Sequence, residues 1–324
     1  MATFRVLDRE EPRDTKMPEQ LPPTSYCGRF APSPTGPLHF GSLVAALASF
    51  LEARRQGGRW LLRIDDIDPP REQPGAADDI QRTLEAFGLQ WDGPVLYQSR
   101  RRELHEQALT VLADRGMAFD CGCTRRDIAE RARQGPNGLI YPGTCRNGLP
   151  PGREPRALRV PVDDVLISFK DALQGPQRCE LAQAIGDFIV RRADGCIAYH
   201  LAAAVDDGDA VISHVVRGAD LLWCTPPQLY LMQLLGLRPP HYMHLPVAVN
   251  AEGQKLSKQS HAAPLDARHA SRSLHAALVF LRQQPPAELI AATPSTLLGW
   301  ALEHWNPDAL RGVQQLPAIG SITD

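Results

Sequence analysis

The stretch Gly28–Ser42, GRFAPSPTGPLHFGS, dictates how this 324-residue chain is organised. Three prolines and a glycine crowd residues 32–37, and proline removes a backbone donor and fixes φ, so no regular element can run through them. Immediately afterwards, Leu43 to Gln56 carries apolar residues at Leu43, Leu47, Phe50 and Leu51, the spacing of a helix with one buried face. Residues 32–41 therefore form a loop that delivers His39 and Gly41 to a helix N-terminus. Unpaired N–H groups and the helix dipole make such an end an anion site. Gly41 lets a ligand approach the backbone closely, and His39 adds a side-chain donor. A nucleotide-phosphate site at a strand–loop–helix junction fits this stretch. For the four residues H-x-G-S alone, a rigid turn with a capping histidine fits equally well.

Composition narrows the class. A content of 43% hydrophobic and 22% charged residues describes a soluble globular chain, long enough for two or three subdomains. The apolar run Val44–Leu51 is too short to span a bilayer. Residues 1–24 are polar, without the apolar core of a secretory signal, and read as a flexible tail. A net charge of −2 argues against a wholly basic nucleic-acid binder but leaves room for a local basic face. Seven cysteines without a secretion signal point to reduced thiols or metal ligands in the cytoplasm. Nothing implies a membrane or an obligate protein partner.

Along the chain, Trp60–Asp68 reads WLLRIDDID, a buried parallel strand with acids at its end. Ligands of open α/β sheets gather at strand C-terminal ends, so Asp65 can receive an ammonium; an Asp pair capping a turn before Pro69 is the alternative. Asp78–Leu89 and Gln98–Gly116 have helical patterns, and Arg100–Arg102 open the second against the dipole. Cys121-Gly-Cys123 and Tyr141-Pro-Gly-Thr-Cys145 follow. Thiolates suit zinc, yet three leave a tetrahedral site one ligand short, and scattered free thiols fit as well. Between them lies the basic helical segment RRDIAERAR. Ala157–Phe169 alternates as β structure. Apolar strands are expected at Phe188–Val190, Ile197–Leu201 and Val211–Val216. Tyr199 suits a core position and Arg217 a surface ion pair, as well as a ligand site. Thr225–Leu237, Leu274–Leu281 and Leu297–Trp305 read as helices. Lys255-Leu-Ser-Lys258 lies on a glycine-bounded loop whose lysines can hold phosphates, although so short a string is common by chance.

Read together, Arg29–Gly41 resembles the R-F-A-P-S-P-T-G-x-L-H-x-G signature of the class I aminoacyl-tRNA synthetases, glutamyl subgroup. Ser42 stands where the class often has a second histidine, Asp65 where the subgroup often has glutamate, and Gln259 where the lysine loop K-[ML]-S-K-S ends in serine. The resemblance covers about Arg29 to His261. It implies an α/β fold: a class I nucleotide-binding, Rossmann-like parallel sheet in two pieces, 25–115 and 180–250. An inserted zinc-bearing, RNA-facing subdomain, 116–179, divides them, and the lysine loop and a helical C-terminal region, 251–324, follow.

The resemblance also implies the site. ATP would meet His39, Gly41, Ser42 and Lys258, with Mg²⁺ on its phosphates. His39, Lys255 and Lys258 would stabilise the transition state. Glutamate would lie against Arg29, Phe30, Ala31, Pro32 and Ser33, with Asp65 on its ammonium and Tyr199 and Arg217 completing the site. The matching arginine is absent from glutaminyl relatives, and a guanidinium fork suits a carboxylate rather than an amide. Cys121, Cys123, Tyr141 and Cys145 match the C-x-C…Y-x3-C zinc set of the glutamyl-queuosine branch, implying one structural Zn²⁺ per chain. That branch activates glutamate with ATP and esterifies it to queuosine in the anticodon arm of tRNA(Asp), and Arg125, Arg126 and Arg131 would meet RNA phosphates. The region after His261 looks too short for an anticodon-binding domain. A glutamyl-tRNA synthetase lacking that domain, or a non-catalytic RNA-binding derivative, stays open as an alternative.

Overall fold

The computed structural model describes residues 25–209, 211–250, 252–255 and 263–318; the expected tail 1–24 and Lys258 lie outside them. Strand β1 (Cys27–Phe30) is buried along its length and leads through the proline loop into α1 (Phe40–Arg55). The helix starts at Phe40, earlier than its apolar pattern, because the prolines end at Pro37. A Gly57–Gly58 turn returns the chain to β2 (Arg59–Ile64), parallel to β1. Only glycine fits at 58, since a Cβ there would lie 2.4 Å from the Tyr26 carbonyl oxygen. Helix α2 (Ala76–Ala86) and strand β3 (Leu96–Tyr97), parallel to β2, complete the first half. A 3-10 turn, Gln98–Arg101, precedes α3 (Arg102–Asp114), so the three arginines straddle the junction.

The insertion contains β4 (Phe119–Cys121), α4 (Arg125–Arg131), the hairpin β5 (Arg133–Gly135) and β6 (Gly138–Ile140), and β7 (Ala157–Val160). A second hairpin, β8 (Leu166–Asp171) and β9 (Gly175–Glu180), is followed by α5 (Leu181–Ala184) and β10 (Phe188–Arg191). Sheet pairing crosses the segment boundary expected at 179/180. Strand β10 pairs antiparallel with β7, which pairs with β4.

The expected strand Ile197–Leu201 is a helix instead: α6 spans Tyr199–Asp207. Ile197 makes only an isolated bridge to Arg191. Leu201 and Val205 stand four apart with three alanines between them, and that period and composition favour the helix. Then come β11 (His214–Gly218), α7 (Thr225–Leu235), β12 (His241–Leu245), β13 (Val247–Val249), α8 (Ala270–Phe280), α9 (Pro294–His304) and β14 (Gln315–Pro317). Strand β11 runs two residues past the expected Val216 and so carries Arg217.

Strands β11 and β12 are parallel, and β12 touches β8 through Tyr242 and Asp171. Ser213, just before β11, binds beside β1: its N–H donates to the Cys27 carbonyl at 2.9 Å, and its Oγ accepts from the Cys27 N–H at 2.7 Å. Side chains alternate across β2. Trp60, Leu62 and Ile64 pack with α1, α2, α8 and α9, while Leu61 packs with α3, α6 and α7. A sheet covered on both faces, with ligand loops at its strand C-termini, is the nucleotide-binding α/β plan the sequence implied. Buried Glu52 of α1 accepts a hydrogen bond from Trp305 Nε1 at 2.5 Å, tying the end of α9 to α1.

Candidate active site

The C-terminal ends of β1, β2 and β11 and the strand β13 surround a cleft of about 920 Å³. The proline loop forms one wall and is clamped to neighbouring segments: the Asp65 N–H donates to the Pro32 carbonyl at 3.0 Å, and the Gln73 N–H to that of Pro34 at 2.9 Å. His39 occupies the N-cap of α1 with extended backbone, and Gly41 and Ser42 in the first turn face the cleft beside it. Phe30 at the end of β1 and Ala31, Pro32 and Ser33 after it also line the cleft.

Arg29 and Asp65 form the second wall, and behind them runs a chain of buried charges. Arg29 on β1 grips Asp207 of α6 with two donors, Nε to Oδ1 at 3.0 Å and Nη2 to Oδ2 at 2.9 Å. Arg63 on β2 donates from Nη1 to Asp207 at 2.6 Å and from Nε to Asp65 at 2.6 Å. Burial pushes the Asp65 carboxyl up to about 6; Arg63 opposes that shift, and Asp206 and Asp207 reinforce it. Asp207 is as deeply buried, but Arg29 and Arg63 outweigh its desolvation and hold it well below the usual carboxylate range. Its neighbour Asp206 accepts from Gln98, from Arg101 and from His105 Nε2. Two acids at a helix C-terminus oppose the dipole, so α6 ends in them because cations on β1, β2 and the α3 turn compensate.

The third wall holds Tyr199 and Arg217. Arg217 is 4% exposed, yet among the described residues no carboxylate bonds to it. Its Nη2 donates to Thr225 Oγ1 at 2.8 Å, its Nη1 reaches Tyr199 Oη at 3.5 Å, and its Nε donates to His244 Nε2 at 3.1 Å. That last bond assigns the tautomer. His244 Nε2 accepts, so the ring proton sits on Nδ1 and is given to Asp171 Oδ2 at 2.6 Å. Burial, and Arg217 beside it, lower the His244 pKa and keep the ring neutral. Backbone N–H groups of Leu173 and Gln174 hold Asp171 Oδ1 at 3.0 and 2.8 Å. A buried guanidinium with only neutral partners is costly unless a ligand supplies an anion.

Lys255 closes the cleft, its Nζ paired with Asp220 Oδ2. Every expected glutamate- and ATP-contacting residue among the described residues lines this one cavity; Lys258 lies outside them. Sequence reasoning missed Arg63, Asp207, Asp220, His244 and Asp171. The sequence carries one signal of them: a charged Arg63 inside the apolar strand WLLRI requires a buried partner.

Away from the cleft, Cys121, Cys123 and Cys145 bring their sulfurs within 4.8 Å of one another. Tyr141 Oη lies 3.4 Å from Cys121 Sγ and 3.6 Å from Cys123 Sγ. A Cβ at Gly122 would lie 2.8 Å from the Glu154 carbonyl oxygen, so the C-x-C turn closes only around glycine. The Arg159 guanidinium lies 4.0 Å from the Tyr141 ring centroid, a cation beside the three sulfurs. Three soft thiolates and one oxygen fit a closed tetrahedral site. Thr124, next to Cys123, caps α4 through a reciprocal capping box with Asp127, and this helix exposes Arg125, Arg126 and Arg131.

Comparison with known proteins agrees with this geometry. Residues 27–272 match the family of tRNA synthetases class I (E and Q), catalytic domain. A glutamyl-Q tRNA(Asp) synthetase from Chromobacterium violaceum is 54% identical over 90% of this chain and 98% of its own length. Its namesake from Thiobacillus denitrificans is 53% identical over 88% and 94%. A glutamate-tRNA synthetase structure from Elizabethkingia anophelis superposes with a TM-score of 0.75 at 23% identity, covering 91% of this chain and 68% of that one, a likeness of fold. The cleft, its motifs and these relatives place the chain in the class I tRNA synthetase family of the glutamyl and glutaminyl enzymes, in the group whose members are named glutamyl-Q tRNA(Asp) synthetases.

Proposed function

We propose that this protein activates glutamate with ATP as glutamyl-adenylate and transfers the glutamyl group to queuosine in the anticodon arm of tRNA(Asp). The observation that carries the amino-acid half is Arg217, a buried cation held on neutral groups and opening on the cleft beside Tyr199. It receives the side-chain carboxylate of glutamate. Arg29 has Nη1 left over from its grip on Asp207 and serves the other carboxylate, and Asp65, ionised above about pH 6, takes the ammonium. The names of the relatives support the queuosine half.

In the reaction a carboxylate oxygen attacks the α-phosphorus, the bond to the pyrophosphate oxygen breaks, and pyrophosphate leaves. Charge accumulates on phosphate oxygens, so the protein contributes position and positive potential. The α1 N-terminus, His39 and the lysine loop, Lys255 with Lys258, supply it; Mg²⁺ arrives with ATP. A hydroxyl of queuosine's cyclopentene diol then attacks the mixed anhydride, AMP leaves, and the hydroxyl proton is released. Zn²⁺ on Cys121, Cys123, Tyr141 and Cys145 would supply only a structural clip between β4 and the Cys145 loop, setting the bearing of α4, whose arginines meet RNA phosphates.

Two measurements test this reading. Glutamate-dependent ATP–pyrophosphate exchange must occur without RNA. Queuosine-bearing tRNA(Asp) stripped of its CCA end must accept glutamate, while intact queuosine-free tRNA(Asp) must not. The reverse pattern identifies an acceptor-end synthetase and overturns the assignment.

A further inference from the structure

A second cavity, of about 320 Å³, adjoins the cleft, and Asp220 lines both. Trp223, 42% exposed, lines this cavity with Phe169, Arg178, Asn137, Gln177 and Gln314. A lone exposed tryptophan needs no ligand. This one has three further features. Its ring is braced edge-on by His200, with centroids 5.7 Å apart and planes at 81°, and His200 is itself braced by Phe188. It sits on the 3-10 turn Ala219–Cys224, which also carries Asp220, the partner of Lys255. And two side chains that can both donate and accept, those of Asn137 and Gln314, line the same cavity, beside Gln177, whose Nε2 already donates to the Gln174 carbonyl at 2.8 Å. An aromatic platform, planar amides that match base edges and one guanidinium make a nucleobase site, because unpaired RNA bases are held by stacking and read along their edges.

We infer that this cavity holds one unpaired nucleobase of the RNA substrate, stacked on Trp223, while the acceptor hydroxyl reaches the adenylate across Asp220. The inference rests on the function proposed above and adds a site to it. The cavity volume suits one base and excludes a helical stem, so the occupant comes from an opened loop.

The test separates this site from activation. Trp223→Ala is expected to raise the KM for queuosine-bearing tRNA(Asp) about tenfold, the scale of one lost stacking contact. Glutamate-dependent pyrophosphate exchange, measured without RNA, should stay within twofold and reports an intact fold. Trp223→Phe, which keeps a stacking face, should restore most of the RNA affinity. It should also lose the part of the RNA-induced quenching of tryptophan fluorescence that the parent shows. Placing an abasic nucleotide at each loop position in turn should reveal one at which Trp223→Ala adds no further penalty. An unchanged RNA KM in Trp223→Ala, or quenching undiminished in Trp223→Phe, overturns the inference while leaving the proposed function standing. If the parent fails to glutamylate this RNA at all, it is the proposed function that falls.

Discussion

At the scale of single residues, the proposed selectivity for a carboxylate rests on hydrogen positions. Asp171 Oδ1 is pinned by the backbone N–H groups of Leu173, Gln174 and His244, so an asparagine there keeps its carbonyl oxygen in that place and turns its NH₂ toward His244 Nδ1. The imidazole proton must then move to Nε2 and face the Nε–H of Arg217, donor against donor. Asp171→Asn is therefore expected to raise the glutamate KM tenfold or more, since a hydrogen bond to a charged group is worth roughly 1.5–3 kcal/mol. It should also erode the preference for glutamate over glutamine, as Arg217→Gln should. Pyrophosphate-exchange kinetics with both amino acids check this, and unchanged selectivity in both variants places discrimination elsewhere. Asp65 gives a pH signature. Its carboxyl titrates near 6, so direct glutamate binding, followed calorimetrically without ATP, should weaken as pH falls through 6, and Asp65→Asn should bind weakly at all pH values. The stability effect has the opposite sense. A carboxyl with its folded pKa raised above the unfolded value of about 3.9 stabilises the fold at low pH, and that contribution is lost as pH rises toward 6. The motif-borne residues His39, Arg29 and Gly41 could be named from the sequence because their neighbours in the chain identify them. Asp207 and His244 could not, because Asp207 meets Arg63 across 144 positions and His244 meets Asp171 across 73.

Elements were legible where their period was long. The pattern through Leu43, Leu47, Phe50 and Leu51 specified α1, and the WLLRI run specified β2. Helix α6 was not, because Ile197–Leu201 is a short apolar window in which strand and helix look alike; the deciding alanines and the two acids at its end lie further on. In the insertion, C-x-C and Y-x3-C marked the candidate ligands, but only the packed loops put the three sulfurs within 4.8 Å. Elemental analysis of protein prepared without chelator is expected to give one zinc per chain. Cys145→Ser should lower that stoichiometry and the melting temperature together while sparing pyrophosphate exchange measured below the transition. Full zinc in Cys145→Ser would remove that residue from the ligand set.

Over the whole molecule, two apolar layers sandwich one family of parallel strands, and the cleft opens where their C-terminal ends meet. The motif order along the chain made that plan readable. The pairing of β10 with β7 across the expected boundary was not, since sheet partners far apart in sequence leave no local mark. Strand β14 has a consequence of its own. It pairs in parallel with β13, Val247 opposite Gln315 and Val249 opposite Pro317, and β13 runs into the turn that presents Lys255. A chain ending before Gln315 should keep its helix content by circular dichroism but lose most pyrophosphate exchange. Parental exchange in that truncation would show that β13 stands without its partner. The same pairing sets a schedule during synthesis. A ribosome releases the histidine loop first and β13 much later, yet the strand that leads to Lys255 waits for residues 315–317, so the cleft is completed on that side only after they emerge.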